Sequence, residues 1–280
     1  FELNNLEFLV LDEADEMLDM GFYADIVSII SHLPEKRQNL LFSATMPREI
    51  RKLAAEILIN PSVVDLNFSK PAEEIEQQAY LVYENDKQSL LNSVLRGFPE
   101  QKVLIFVATK VNVGKISSYL NINRIKHSAI NSSFSQSERN ETVQSFKSGQ
   151  VNILVATNLL ARGIDIEDVN LIINYDIPEK AEDYVHRIGR TARAGKLGLA
   201  ISFISEFDIV KFNRIEKLLN RVVDKLKLPE GFKGAPQYSD RTKRKFSGKP
   251  RKRNSKNLQD KKRKRHFKKN KPSKPDKAGN

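Results

Sequence analysis

The chain has 280 residues, of which 40% are hydrophobic, so it can bury one large core or two smaller ones. It has no cysteine, which excludes disulfides and thiolate metal sites and fits a cytoplasmic protein. No apolar run is long enough to cross a bilayer and no signal peptide is visible, so we expect no membrane partner. The chain begins at Phe1 rather than Met, and we expect further residues to precede it in the parent protein.

The net charge of +12 is unevenly distributed. Residues 230–280 hold 20 Lys/Arg and 4 Asp/Glu, whereas residues 1–229 hold the other 27 basic and 31 acidic side chains. The body is therefore mildly acidic, and the C-terminal segment carries all of the excess positive charge. Because this segment has almost no apolar residues, it is predicted to be a disordered basic arm that binds a polyanion.

Short apolar runs in residues 1–68 predict buried strands separated by helices. The runs lie at 8–11, 40–42 and 63–66. Helical spacing of apolar residues recurs at 26–33 and 50–57, and Pro47 suits the first turn of the second helix. Residues 1–68 are therefore predicted to form one α/β unit, and residues 69–74 a linker.

Nearly continuous apolar runs farther along the chain are typical of parallel strands covered on both faces. They lie at 103–107, 153–156, 171–175 and 200–204. Helical patterns separate them: Ser135 and Glu138 have the spacing of a capping box, and an apolar stripe from Phe212 to Leu226 predicts one long helix. The alternation indicates a second parallel α/β domain at 75–228, followed by the basic tail at 229–280.

Four polar motifs follow these predicted elements in order. They are Asp12-Glu13-Ala14-Asp15, Ser43-Ala44-Thr45, residues 157–165 and residues 186–193. An acid pair at a strand end can hold Mg²⁺ near nucleotide phosphates, and arginine suits phosphate because its planar guanidinium never loses its charge. If the last motif were helical, His186, Arg190 and Arg193 would share one face. Alone, each motif is also typical of a solvated turn or a basic surface helix, but the ordered set is not.

The set of motifs resembles the DEAD-box RNA helicases of helicase superfamily two, over roughly residues 6–226. The resemblance implies an α/β fold with RecA-like parallel sheets, in which 1–68 is a partial first, ATP-binding domain and 75–228 a complete second domain. It implies ATP and Mg²⁺ as cofactors and RNA as a partner that is bound along its backbone without sequence preference. We expect a monomer.

The resemblance also implies which residues bind nucleotide. Asp12 would hold Mg²⁺ through bound water, and Glu13 would position the attacking water. Arg190 and Arg193 would reach the γ-phosphate across the domain cleft and complete the catalytic set. The implied nucleotide-binding residues are Gly163, Asp165, Arg190 and Arg193.

RNA contacts and coupling between the domains are implied in the same way. The residues expected on the RNA sugar–phosphate backbone are Gln136, Arg139 and Thr157. Those expected to couple the two domains are Asp15, Ser43, Thr45 and His186. Phe106 matches an aromatic position of the family, although core packing would explain it almost equally well.

The chain departs from the family pattern in several places. The usual His-Gly-Asp is Asn131-Ser132-Ser133, the Asp after the motif Thr is Asn158, and the Gly between the last two arginines is Ala192. The first two departures leave the RNA-contact network open. A P-loop, G-x-x-x-x-G-K-[ST], does not occur in the 280 residues. We expect it upstream, and therefore expect this chain alone not to hydrolyse ATP.

The favoured function is that of an ATP-dependent RNA helicase that unwinds short duplexes or remodels RNA–protein complexes. A non-enzymatic RNA-binding or annealing protein that acts through the basic tail is the main alternative, since Lys and Arg bind phosphates without sequence preference. A DNA helicase of the same superfamily is a third possibility.

Overall fold

The computed structural model describes residues 3–65, 75–158, 166, 169–191 and 197–239, which belong to one compact unit. Several sequence-based predictions lie outside these residues: the linker at 69–74, Gly163, Asp165, Arg193 and the tail beyond Ser239. No helix in the described ranges combines the length and the apolar character that a membrane span requires.

The first lobe, residues 3–65, contains a two-stranded parallel sheet with three helices. Its strands are β1 (Phe8–Leu11) and β2 (Gln38–Leu41), and its helices are α1 (Ala14–Asp19), α2 (Tyr23–Ser31) and α3 (Arg48–Ile57). Phe8 pairs with Gln38 and Leu11 with Leu41. The buried side chains are few, with Ile26, Leu53 and Ile57 at the centre of the cluster. The strands and helices predicted around positions 8–57 are therefore present.

The apolar run at 63–66 does not form the predicted buried strand in its described part. Residues 61–65 have no regular structure, and the side chains of Val63 and Val64 are 84% and 79% exposed. A short apolar run becomes a strand only where a neighbouring backbone pairs with it, and none does so in the described ranges.

The second lobe, residues 75–239, is built on seven parallel strands in the order β5-β6-β4-β7-β8-β3-β9. They are β3 (Ile75–Leu81), β4 (Val103–Val107), β5 (Ser128–Ile130), β6 (Ile153–Thr157), β7 (Leu171–Asn174), β8 (Gly198–Ile204) and β9 (Asp224–Leu226). A 3₁₀ turn at Glu84–Asp86 leads into α4 (Lys87–Arg96), which is followed by α5 (Lys110–Ile122), α6 (Gln136–Lys147), α7 (Ala181–Ile188) and α8 (Ile209–Leu219).

Both faces of the large sheet are covered, as the continuous apolar runs predicted. Leu104 and Phe106 of β4 point into the core on one face, and Val103, Ile105 and Val107 into the core on the other. The capping box that begins α6 is also confirmed: the Ser135 side chain accepts from the Glu138 N–H, and the Glu138 carboxylate accepts from the Ser135 N–H at 2.7 Å. This cap fixes the start of the helix that carries Gln136 and Arg139.

The apolar stripe at 212–226 was predicted as one helix, and the structure divides it. Helix α8 ends at Leu219 because Asn220 adopts a left-handed conformation, with φ 49°. Leu226 lies in β9, where it pairs with Tyr80 of β3. The spacing of the stripe matched a helix by coincidence, since a strand after a tight turn can supply the same apolar positions.

The packed part of the chain extends past the predicted boundary at Leu228. Phe232 packs against the core beneath α4 and α5, and Tyr238 packs against the core on the opposite face of the sheet. The Tyr238 hydroxyl donates to Glu216 of α8 at 2.6 Å, and its ring meets Phe212 edge-on. Residues 229–239 therefore form part of the second lobe.

Candidate functional site

The acid pair lies where β1 ends. The Asp12 side chain is exposed and its Oδ1 accepts from the Glu13 N–H at 2.9 Å. Glu13 has φ 49° and ψ 43°, a left-handed conformation that turns the chain abruptly from β1 into α1. Sequence reasoning placed both acids at this strand end, and the structure confirms the placement.

The acid pair fits a magnesium ion held largely through water. Mg²⁺ takes oxygen ligands, keeps several waters and commonly uses one or two carboxylates together with nucleotide phosphates. The exposed carboxylate of Asp12 meets that requirement. In the described ranges no cluster of three or more acidic or histidine side chains forms a closed metal cage. Water and phosphate oxygens would therefore have to supply most of the ligands of the ion.

Asp15 is buried in the first turn of α1 and contacts the second motif directly. Its Oδ2 accepts two hydrogen bonds from Thr45, from the N–H at 2.9 Å and from the hydroxyl at 2.8 Å. Ser43 donates its hydroxyl to the Thr45 carbonyl at 2.7 Å, which folds this segment back on itself. Within the described part of the chain Oδ1 of Asp15 is buried without a hydrogen-bond partner. Three residues predicted for interdomain coupling are thus brought together.

The residues predicted to contact RNA lie at the carboxyl ends of β5 and β6. Ile130 pairs with Ala156, so the loop after β5 begins beside Thr157, whose side chain is 8% exposed. Gln136 is exposed at the start of α6, and Arg139 lies one turn farther on. The Arg139 guanidinium donates to the Ser132 carbonyl at 3.4 Å, and this contact holds the loop that replaces the family's His-Gly-Asp.

The arginine motif differs from the single helical face that its spacing predicted. Helix α7 ends at Ile188, and the Gly189 N–H bonds back to the Val185 carbonyl. His186 is therefore helical, whereas Arg190 lies in the turn beyond. A Cβ at position 189 would lie 3.2 Å from that carbonyl, which explains the glycine. Among the described residues, no hydrogen bond or ion pair holds the half-buried Arg190 side chain, which leaves its guanidinium available for a ligand.

Arg187 is the anchor of a buried polar network that sequence reasoning did not assign. Its side chain donates to Asn158 at 2.5 Å, to Asn174 at 3.1 Å and to the Asp176 carbonyl at 2.7 Å. Its guanidinium lies over the ring of Phe106, which is buried. The motif contains three arginines, and only the phase and end of α7 show that this one points inward.

Lys87 is a second buried cation that the sequence did not reveal. Its Nζ lies 2.9 Å from Glu84, 3.1 Å from Asp208 and 3.5 Å from Asp176. Burial lowers the pKa of Lys87, but the three carboxylates outweigh this effect and raise the pKa above its ordinary value. The site was missed because a lone lysine in a polar stretch is usually solvated.

The two cations meet at Asp176. Lys87 approaches the Asp176 carboxylate, whereas Arg187 binds its backbone carbonyl. The same carboxylate accepts from the Ala108 N–H at 2.8 Å and from the Asn112 amide at 3.0 Å. The network therefore joins the segments that follow β3, β4, β7 and β8, and it fixes the carboxyl edge of the large sheet.

Sequence models of two helicase families match the chain. Residues 1–53 match the DEAD/DEAH box helicase family, and residues 86–195 match the helicase conserved C-terminal domain. Together they take up more than half of the chain. The chain belongs to the DEAD-box helicase family.

Curated relatives agree with this assignment. The DEAD-box ATP-dependent RNA helicase CshA of Geobacillus kaustophilus is 41% identical over 228 residues, which are 81% of this chain and 49% of that protein. The ATP-dependent RNA helicase DbpA of Bacillus subtilis is 40% identical, over 81% of this chain and 48% of that protein. The chain spans about half the length of the curated relatives that it matches.

Solved DEAD-box structures show the same fold. Dbp5 of S. cerevisiae bound to RNA and ADP BeF3 has a TM-score of 0.73 at 31% identity, over 81% of this chain and 61% of that one. A DEAD box protein from Methanococcus jannaschii has a TM-score of 0.54 at 40% identity, over the same shares of the two chains. The predicted fold, RecA-like parallel sheets with helices, is confirmed.

Proposed function

We propose that the protein containing this chain is an ATP-dependent RNA helicase. One observation carries the proposal: the DEAD-box acids and the RNA-contact candidates lie at carboxyl ends of strands in two parallel sheets. Ligands of open α/β sheets bind at these ends. The names of the curated relatives, which are ATP-dependent RNA helicases, support the same activity.

In the first lobe, the proposed chemistry is hydrolysis of the terminal phosphoanhydride bond of ATP. Asp12 would hold Mg²⁺ through water, and the ion would neutralise charge on the phosphate oxygens. Glu13 would orient the attacking water and accept its proton. Glu13 lies in the left-handed turn directly after Asp12, where β1 leads into α1, so both acids are at the same strand end.

Arg190 is proposed to meet the charge that develops on the γ-phosphoryl group during transfer. Its guanidinium is permanently charged and has no hydrogen bond or ion pair within the described part of the chain, so it can approach phosphate without first breaking one of those contacts. Arg193, Gly163 and Asp165 are proposed by resemblance to complete the nucleotide site. They lie outside the described residues.

RNA is proposed to run along the carboxyl ends of β5 and β6, past Gln136, Arg139 and Thr157. Contacts to the sugar–phosphate backbone carry no base information, so binding would be sequence-nonspecific. Closure of the two lobes on ATP and RNA would bend the bound strand. A bent strand cannot remain paired, so a short duplex or an RNA–protein contact would be released.

We propose that these 280 residues alone do not hydrolyse ATP, because no P-loop motif occurs among them. Their own activity would then be RNA binding, to which the 20 Lys/Arg of residues 230–280 would contribute strongly. We also propose a monomeric, cytoplasmic protein. Sedimentation of the full-length protein tests the first property and fractionation of its cells of origin the second.

The test is ATP hydrolysis by a full-length protein that carries this chain, with single-stranded RNA, single-stranded DNA or neither. We expect stimulation by RNA alone and its loss in Glu13→Gln. Glu49→Gln, which changes an exposed acid of α3, is the matched control. Equal stimulation by DNA would favour the DNA-helicase alternative. No stimulation by either polymer would overturn the proposal in favour of a non-enzymatic RNA-binding protein.

A further inference from the structure

We propose that Asn158 is a positioning residue that fixes α7 against the carboxyl end of β6, and that it acts with Asp183 as a matched amide–carboxylate pair. The effect on RNA rests on the proposed function, whereas the pairing itself can be tested without it.

The contacts fix the orientation of the Asn158 amide. Its Nδ2 donates to the Asp183 carboxylate at 2.6 Å, and its Oδ1 accepts from Nε of Arg187 at 2.5 Å. Arginine can only donate, so the atom facing Arg187 must be the amide oxygen, and the nitrogen then faces Asp183. Asn158 therefore uses its donor on the carboxylate and its acceptor on the cation.

The pair carries one negative charge, which lies on Asp183 of α7. An aspartate at position 158 could still accept from Arg187. It would, however, present a carboxylate to the Asp183 carboxylate at the distance of a short hydrogen bond. Two carboxylates this close cannot both remain ionised without a large energetic cost. An amide at 158 and an acid at 183 are thus complementary, and exchanging both should conserve the pair.

The position of the pair explains why it matters beyond stability. Asn158 directly follows Thr157, the candidate RNA contact at the end of β6. Asp183 and Arg187 lie on α7, whose C-terminal turn leads to Arg190. Arg187 is itself held by Asn174 and the Asp176 carbonyl, so the bridge connects two rigid parts. If the contacts of Asn158 were weakened, Thr157 at the end of β6 and the turn that carries Arg190 could move independently of each other.

The test compares Asn158→Asp, Asp183→Asn and the double exchange, with Asn121→Asp on the exposed face of α5 as control. In the 280-residue chain, thermal unfolding is measured at about pH 5 and about pH 8. We expect Asn158→Asp to lower the midpoint at the higher pH and to recover at the lower pH. At the lower pH, one proton shared by the carboxyl groups at 158 and 183 restores a hydrogen-bond donor between them. The closeness of the two groups therefore raises the pKa of the pair in the folded variant. Wild type is run alongside as the reference at each pH.

In the full-length protein, the RNA concentration that half-maximally stimulates ATP hydrolysis is measured for the same variants. We expect Asn158→Asp to raise it roughly tenfold and the double exchange to return it to within about twofold of wild type. Rescue by the exchange cannot come from a role in which each residue acts alone. If wild type shows no RNA stimulation, the proposed function fails, and the unfolding series still decides the pairing. The proposal is overturned if Asn158→Asp behaves like Asn121→Asp, or if the double exchange is no better than the single one.

Discussion

The guanidinium of Arg187 lies 4.9 Å from the centre of the Phe106 ring, between β4 and the last turn of α7. The aromatic face covers one side of the cation. The N–H groups along the guanidinium edge donate to Asn158, Asn174 and the Asp176 carbonyl. Phe106 is therefore both a core residue and the cation–π partner of an arginine of the last motif.

Replacing Arg187 with Met should destabilise the second lobe by about 3–5 kcal/mol, because the buried acceptors lose their shared donor. Urea unfolding of the second lobe measures the change. Arg214→Met on the exposed face of α8 is the control and should cost less than about 1 kcal/mol. A similar loss in both variants would show that the network contributes nothing specific.

Thr45→Val should weaken the first lobe by roughly 1.5–3 kcal/mol, because it removes a hydroxyl that donates to the buried Asp15 carboxylate. Hydrogen exchange at the Thr45 amide, which donates to the same oxygen, should become faster. Thr45→Ser keeps the hydroxyl and should retain most of the protection. Equal exchange in the two variants would contradict the role of the side-chain bond.

Lys87→Met should cost several kcal/mol at neutral pH, on the order of 3–5, because Glu84 and Asp176 lose this cation. Asp208 also loses it but keeps its 3.5 Å contact to Lys211. In wild type, the raised pKa of Lys87 means that its contribution is complete below its ordinary pKa of 10.5 and is lost as the pH rises through the higher folded-state value. Denaturant melts across this alkaline range test the sign, with Lys115→Met on the exposed face of α5 as control.

Glu138→Gln should remove an acid-dependent component of stability. Hydrogen bonds from the Ser135 side chain and N–H lower the pKa of Glu138 below its ordinary 4.5. A lowered pKa stabilises the fold above 4.5, and the contribution disappears as the pH falls through the folded-state value. Wild type should therefore lose more thermal stability between neutral and acidic pH than the variant. Glu141→Gln, on the same helix, serves for comparison, and identical pH profiles in all three proteins would refute the expectation.

Ending the chain at Ser239 should leave the second lobe intact, whereas ending it at Leu228 should destabilise it by at least about 2 kcal/mol. The shorter variant loses the packing of Phe232 and the Tyr238 contacts to Phe212 and Glu216. Chemical denaturation of the two truncated chains makes the comparison. Equal free energies of unfolding would show that residues 229–239 contact the second lobe without stabilising it.

Much of the fold was predictable because the central strands of a parallel sheet are apolar on both faces. The run at 103–107 became β4 with the bounds that the sequence predicted. β3 and β5 were not predicted, since three consecutive polar residues interrupt Ile75–Leu81 and Ser128–Ile130 is short. Strand β9 was hidden inside a helical stripe, because spacing alone does not show where a helix ends.

The site was predictable as motifs but not as contacts. Asp15 and Thr45 were each expected to couple the domains, and the structure adds that they touch. Arg187 and Arg190 look alike in the sequence, and only the end of α7 separates a buried anchor from an available cation. The Lys87 cluster also depends on Asp176 and Asp208, which are distant along the chain and which no local pattern connects to the lysine.

The strand order also bears on how the second lobe is made during translation. β3 is the first strand of this sheet to leave the ribosome, yet its neighbours are β8 and β9, the last two. The four strands between them in sequence form the other side of the sheet and can pair earlier. β3 must therefore wait, with its backbone groups unpaired, until nearly the whole lobe has been synthesised. Such long-range pairing slows folding and leaves a strand exposed to wrong partners. The polar residues in the middle of β3, which made it hard to find in the sequence, also lower its tendency to aggregate during that interval.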